Sequence, residues 1–202
     1  MTTILDLDPP AGQLIRLLDG VRDDRMTAPT PCAEYTVGDL LDHLMNVTVV
    51  FRGAATKTAT TGGPSGSAAR LPADWRARLP RQLDALVVAW RDPAAWEGVA
   101  EAGGVELPAE VMGGVALDEL VLHGWDLARA TGQPFTCDAH SAEACLAFTS
   151  AMSAPGEDAS REGLFGPVVP VPPGAPVFDR VLGYSGRDPS WTPDAAPARE
   201  PG

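Results

Sequence analysis

Leu14, Ile15, Leu17, Leu18 and Val21 recur at helical spacing, so the chain opens with an amphipathic helix over about 9–25, entered through its prolines. A Pro-rich connection over 26–35 leads to a second helix. Thr36 is a good N-cap there, and Asp39 three positions on resembles a capping box. Leu40, Leu41, Leu44, Val47, Val50 and Phe51 form the buried stripe of that helix, which ends near Ala55. Residues 57–71, rich in Thr, Gly, Ser and Ala, read as a flexible loop and lid. A third helix over about 73–91 packs through Trp75, Leu79, Leu83, Leu86, Val87 and Trp90, with Pro80 bending it or marking its true first turn. Residues 96–107 fit a short hairpin around Gly103 and Gly104. The fourth helix, about 108–131, has strong stop signals in Gly132 and Pro134. A fifth over about 139–152 follows Asp138. Beyond Ala154 the chain shifts to Pro, Gly and short apolar runs, whose Phe165, Val168, Val169, Val171, Val177, Phe178 and Leu182 need cover.

The expected fold is all-α: a four-helix bundle with an extra helix and an irregular C-terminal tail. Residues 1–155 are assigned to the bundle and 156–202 to a Pro/Gly-rich tail packed on it, frayed after Trp191. No apolar run approaches the roughly 20 residues needed to cross a bilayer. The first residues carry acids and no basic region followed by an apolar core, so a cytoplasmic location is expected. A formal net charge of −12 disfavours nucleic acid and anionic membranes as partners and leaves small molecules. A monomer or homodimer is expected. Cys32, Cys137 and Cys145, odd in number and scattered, make neither a disulfide framework nor a zinc knuckle. Cys145 reads as a core residue and Cys32 as a loop thiol.

The fourth helix holds the most informative run. Between Ala116 and Ala128 almost every residue is apolar or a good helix former, yet Glu119, His123 and Asp126 recur at steps of four and three and share one face. Burying a carboxylate and an imidazole together is unfavourable unless something coordinates or pairs with them. His43, three residues after Leu40 and four before Val47, shares the core-facing side of the second helix. His43, Glu119 and His123 then supply two imidazoles and a carboxylate, suitable donors for zinc or another divalent first-row metal, with one coordination position left open. The competing reading is a polar seam, in which Glu119 pairs with an arginine and His123 with Asp126.

The stretches Asp39-Leu40-Leu41-Asp42-His43-Leu44, Glu119-Leu120-Val121-Leu122-His123-Gly124-Trp125-Asp126-Leu127-Ala128-Arg129-Ala130-Thr131-Gly132 and Phe165-Gly166-Pro167-Val168-Val169-Pro170-Val171-Pro172 resemble the DinB-like superfamily. The nearest branch is the actinobacterial one related to mycothiol-dependent maleylpyruvate isomerase. With matching helix order, the resemblance covers most of residues 9–192. It implies a four-helix bundle with a divalent cation, often zinc, held by His43, Glu119 and His123. It also implies a low-molecular-weight thiol of the mycothiol kind as co-substrate. The implied chemistry is S-transfer to a small electrophile or thiol-assisted isomerisation. The chain departs from the isomerase in lacking room for a second C-terminal domain, so basic substrate-binding residues of that domain do not carry over.

Two further residues are expected at the centre: Asp126, orienting His123 or a metal-bound water, and Arg129, one turn beyond His123, meeting a substrate carboxylate or capping the helix end. Asp42 is expected to face solvent, Trp125 to be core and His140 to lie on the surface. Two alternatives remain at this stage, a metal-dependent hydrolase with water as nucleophile and a non-catalytic metal-binding bundle.

Overall fold

A computed structural model describes residues 4–58, 60, 65–154, 156, 161 and 164–193. Helices α1 (Asp8–Asp19), α2 (Val37–Ala55), α3 (Trp75–Trp90) and α4 (Ala109–Thr131) form an all-α bundle in which α1 and α2 each pack on both α3 and α4. Leu14, Leu40, Leu41, Leu44, Leu79, Leu83, Leu86, Leu117 and Leu120 meet at its centre, each at most 1% exposed. Among the described residues no helix is long and apolar enough to cross a membrane.

Local signals set the helix ends. Thr36 accepts from the Asp39 amide at 3.3 Å while its own amide donates to Asp39 Oδ2 at 2.9 Å, a reciprocal cap that starts α2 at Val37. Helix α4 stops at Gly132, whose φ of +71° is the left-handed conformation that glycine adopts without a Cβ penalty. Helix α1 ends at Asp19, short of the expected Arg25. Gly20 caps it, at a point where a Cβ would stand 2.2 Å from Oε1 of Gln133, and residues Asp23–Arg25 form a separate 3-10 turn. Helix α3 begins at Trp75, so Pro80 lies inside it and does not mark its first turn.

Strands β1 (Val99–Ala102) and β2 (Val105–Pro108) pair antiparallel with Ala102 opposite Val105. Gly103 and Gly104 both take positive φ, +60° and +87°, as a tight two-residue hairpin turn requires. Helix α5 (Ala139–Ala151) starts where Asp138 accepts from the Ser141 amide at 3.0 Å.

The C-terminal segment is more regular than its composition suggests. Val177–Tyr184 forms a further helix, α6, which packs on α5, and Phe178 stacks on Phe135 with ring centroids 5.6 Å apart. Of the stretch expected to fray, after Trp191, residues 194–202 lie outside the described residues. Part of the expected lid, 59 and 61–64, also lies outside them. Its described remainder is hydrogen-bonded along α2: the amides of Ser67 and Ala68 donate to Asp42 and Asp39 at 2.9 and 2.8 Å. Asp42 is consequently buried, not solvent-facing as its position suggested, because the loop that follows α2 folds back over it and adds Arg70 at 3.3 Å.

Candidate metal centre

The adjacency of α2 and α4 brings His43 against Glu119 and His123. His43 Nε2 lies 3.1 Å and His123 Nε2 3.3 Å from the same oxygen, Glu119 Oε2. One ligand-type atom from each residue falls within 4.8 Å of the other two. The imidazole rings meet edge to face with centroids 4.7 Å apart. His123 is 9% exposed at its side chain, whereas His43 and Glu119 keep 20% and 22%, so the cluster is closed around His123 and partly open beside His43 and Glu119.

Both rings are held from behind. His123 Nδ1 lies 3.0 Å from Asp126 Oδ2, and His43 Nδ1 lies 3.4 Å from the Tyr35 hydroxyl. An ionised carboxylate accepts only, so Asp126 places the proton of a neutral His123 on Nδ1 and frees Nε2 as a donor atom. That is the arrangement of a metal-ligating histidine. Two imidazoles with their far nitrogens anchored and a carboxylate between them are a donor set that fits a divalent first-row cation.

Without a cation the same groups form an imidazolium–carboxylate network. Burial alone would lower the His123 pKa, but the hydrogen bonds it donates to Asp126 and Glu119 outweigh it and push the pKa up to about 9. Burial opposes ionisation of Glu119 too, and the two imidazoles overcome it, holding the carboxyl below the usual range. Asp126, 0% exposed, is likewise held low against burial by the charge of Arg187 and by its hydrogen bonds.

Arg129 is not part of this cluster. Its guanidinium donates to the backbone carbonyl of Trp191, through Nε at 3.0 Å and also through Nη2, and stands over the Trp125 ring at 5.9 Å. Trp125 is buried and His140 exposed, each where its position in the pattern puts it. Two residues at the site went unmarked by sequence reasoning. Tyr35 sits in the Pro-rich connection, its ring 5.1 Å from His43 and 6.3 Å from His123, with the Gly66 amide donating to its hydroxyl at 3.5 Å. Arg187 reaches Asp126 from the C-terminal segment. Neither belongs to a periodic pattern, and its neighbours in sequence (Glu34 and Thr36, Gly186 and Asp188) do not single it out.

None of the three cysteines is an activated nucleophile. Burial pushes the Cys32 thiol up to about 11, reinforced by Asp126, and the Cys137 thiol up to about 12, while Cys145 is buried and raised further still.

The fold and the centre together define a helical bundle carrying two histidines and a carboxylate around an open position. The mycothiol maleylpyruvate isomerase N-terminal domain family matches residues 7–128, and the chain belongs to that family. It is 31% identical over 172 residues to uncharacterized proteins of two Mycobacterium tuberculosis strains, CDC 1551 / Oshkosh and ATCC 25618 / H37Rv, an alignment covering 85% of this chain and 90% of each relative. The crystal structure of the mycothiol-dependent maleylpyruvate isomerase superimposes with a TM-score of 0.56 at 19% identity. It covers 74% of this chain and 72% of that one, a likeness of fold.

Proposed function

We propose that this chain is a divalent-metal-dependent enzyme that uses a low-molecular-weight thiol, of the mycothiol kind, on a small electrophilic substrate. The reaction is S-transfer to that substrate or its thiol-assisted isomerisation. The observation that supports this most directly is the convergence of His43 Nε2, Glu119 Oε2 and His123 Nε2, with both Nδ1 atoms held from behind and one side open. Family membership supports the thiol. Burial raises the chain's own thiols, so on this reading the reacting sulfur is the co-substrate's.

A divalent cation, zinc being the expected one, would supply Lewis acidity that lowers the pKa of a thiol. His43, Glu119 and His123 would hold it, with Asp126 orienting His123 and Tyr35 backing His43. The half-open side beside His43 and Glu119 admits the two small molecules, while the buried Asp126 side excludes water. The sulfur adds to an electrophilic carbon of a conjugated double bond in the second substrate. The C–S bond forms as the π bond breaks, its electron pair moves onto the conjugated acceptor group, and the thiol proton passes to solvent. In S-transfer the adduct then takes up a proton at carbon. In an isomerisation the adduct rotates about the bond thereby made single and then expels the thiol unchanged. Arg129, engaged by the Trp191 carbonyl, is assigned to anchoring the C-terminal segment.

Metal analysis of the purified chain and of His43→Ala tests the reading. About one equivalent of divalent metal in the parent and loss of it in the variant are expected. Metal-dependent thermal stabilisation by a thiol then separates thiol chemistry from hydrolysis by bound water. A parent free of metal after purification without chelator would sink the proposal.

A further inference from the structure

Arg187 lies in the segment after α6, yet its guanidinium is inside the molecule, with 8% of the side chain exposed. Nη2 donates to Asp126 Oδ2 at 2.9 Å, Nε donates to Oδ1 at 3.2 Å, and Nη1 donates to the Ser185 carbonyl at 3.0 Å. The oxygen that takes Nη2 also faces His123 Nδ1 at 3.0 Å. A two-pronged guanidinium grip fixes the plane of a carboxylate, which a single hydrogen bond leaves free to rotate. We propose that Arg187 is a positioning residue of the metal centre: by holding the Asp126 carboxylate in one plane it fixes the His123 ring so that Nε2 faces His43 and Glu119. The inference rests on the metal reading above and extends the site to the C-terminal segment.

The backbone is built to deliver this side chain. Gly186 has φ +81°, and a Cβ there would stand 2.8 Å from the carbonyl carbon of Gly166. The turn lets the Arg187 amide donate to Leu182 at 2.8 Å, directing the side chain inward. A neighbouring arginine provides the contrast. Arg161 is equally buried and ties the same segment through the carbonyls of Tyr184, at 2.9 Å, and Gly166, and through the Ser153 hydroxyl. It anchors the segment with neutral partners, whereas Arg187 directs Nε and Nη2 to the carboxylate behind His123.

Zinc titration of the full chain against a chromophoric chelator tests the proposal, with melting temperatures recorded in parallel. Arg187→Gln is expected to weaken zinc binding about 10–100-fold, as loss of an outer partner of a ligand does, and Arg187→Lys less. Arg161→Gln should lower the melting temperature and leave zinc affinity at the parent value. In an Asp126→Asn background, Arg187→Gln should add less than about twofold, because the two act through one path. Parent-like affinity in Arg187→Gln, or its full loss repeated on top of Asp126→Asn, overturns the proposal. Should the glutamine variant not fold, parent-like affinity in the lysine variant overturns it. A parent that binds no zinc defeats the metal reading and this one together, whereas a parent that binds alongside indifferent Arg187 variants defeats this one alone.

Discussion

Two aspartates on α4, Asp118 and Asp126, are buried to nearly the same degree, at 4% and 0% exposure, and have opposite chemistry. Asp126 accepts from Arg187 and His123 and is held ionised. Asp118 keeps one oxygen, Oδ1, without a hydrogen-bond partner among the described residues, and burial, followed by the nearby Glu119 charge, pushes its pKa up to about 7. Burial therefore does not by itself mark a functional carboxylate. The partners decide whether a buried acid is a fixed charge that can orient a ligand or an ordinary acid under strain.

The sharpest way to break this comparison is to remove the satisfied carboxylate. Asp126→Ala leaves the Arg187 charge buried and unpaired and should cost about 3–5 kcal/mol of stability in urea unfolding. Next in size is Gly186→Ala. It places a Cβ at a left-handed position against the Gly166 backbone, and is expected to cost about 2 kcal/mol and to weaken zinc binding as the Arg187 variants do.

Asp118→Asn should act in the opposite direction. The unfolded carboxyl ionises near its usual value, while the folded one keeps its proton to about pH 7, so the parent loses stability as pH rises through that window. Asparagine does not titrate. Of the roughly 4 kcal/mol implied by a three-unit shift, the burial of an amide takes back part, leaving a gain of about 1–2 kcal/mol at pH 8 that fades toward pH 4. Thermal melts at the two pH values check it. The smallest effect concerns Cys32, next to the Asp126–Arg187 pair. Its iodoacetamide rate at pH 8 should be slow and should climb about tenfold per pH unit toward pH 10, with no plateau near the ordinary thiol value.

Much of this centre was legible in the sequence because its parts obey helical period. The cap at Thr36 and Asp39 fixes where α2 starts, Leu40 and Val47 fix its inward face, and His43 follows from them; the four-residue step from Glu119 to His123 does the same for α4. The convergence of the two helices was foreseeable once both inward faces carried a histidine. Arg187 was not foreseeable, since no period links a residue in a Pro/Gly-rich segment to Asp126, 61 positions earlier. Asp42 misled for a related reason. Its neighbours give its helical phase but not the loop that returns to cover it. Helix α6 went unread because eight residues between a proline and a glycine-containing turn are too few for period to separate helix from an irregular apolar run.

The reciprocal hydrogen bonds at the first turn of α2 have a reach well beyond stability. Each residue advances a helix by about 100° around its axis, so one residue inserted between Thr36 and His43 would swing the imidazole a quarter-circle or more from its partners on α4. Spacing from the cap, as much as the identity of the side chain, therefore determines whether the proposed centre offers a cation three donors or two.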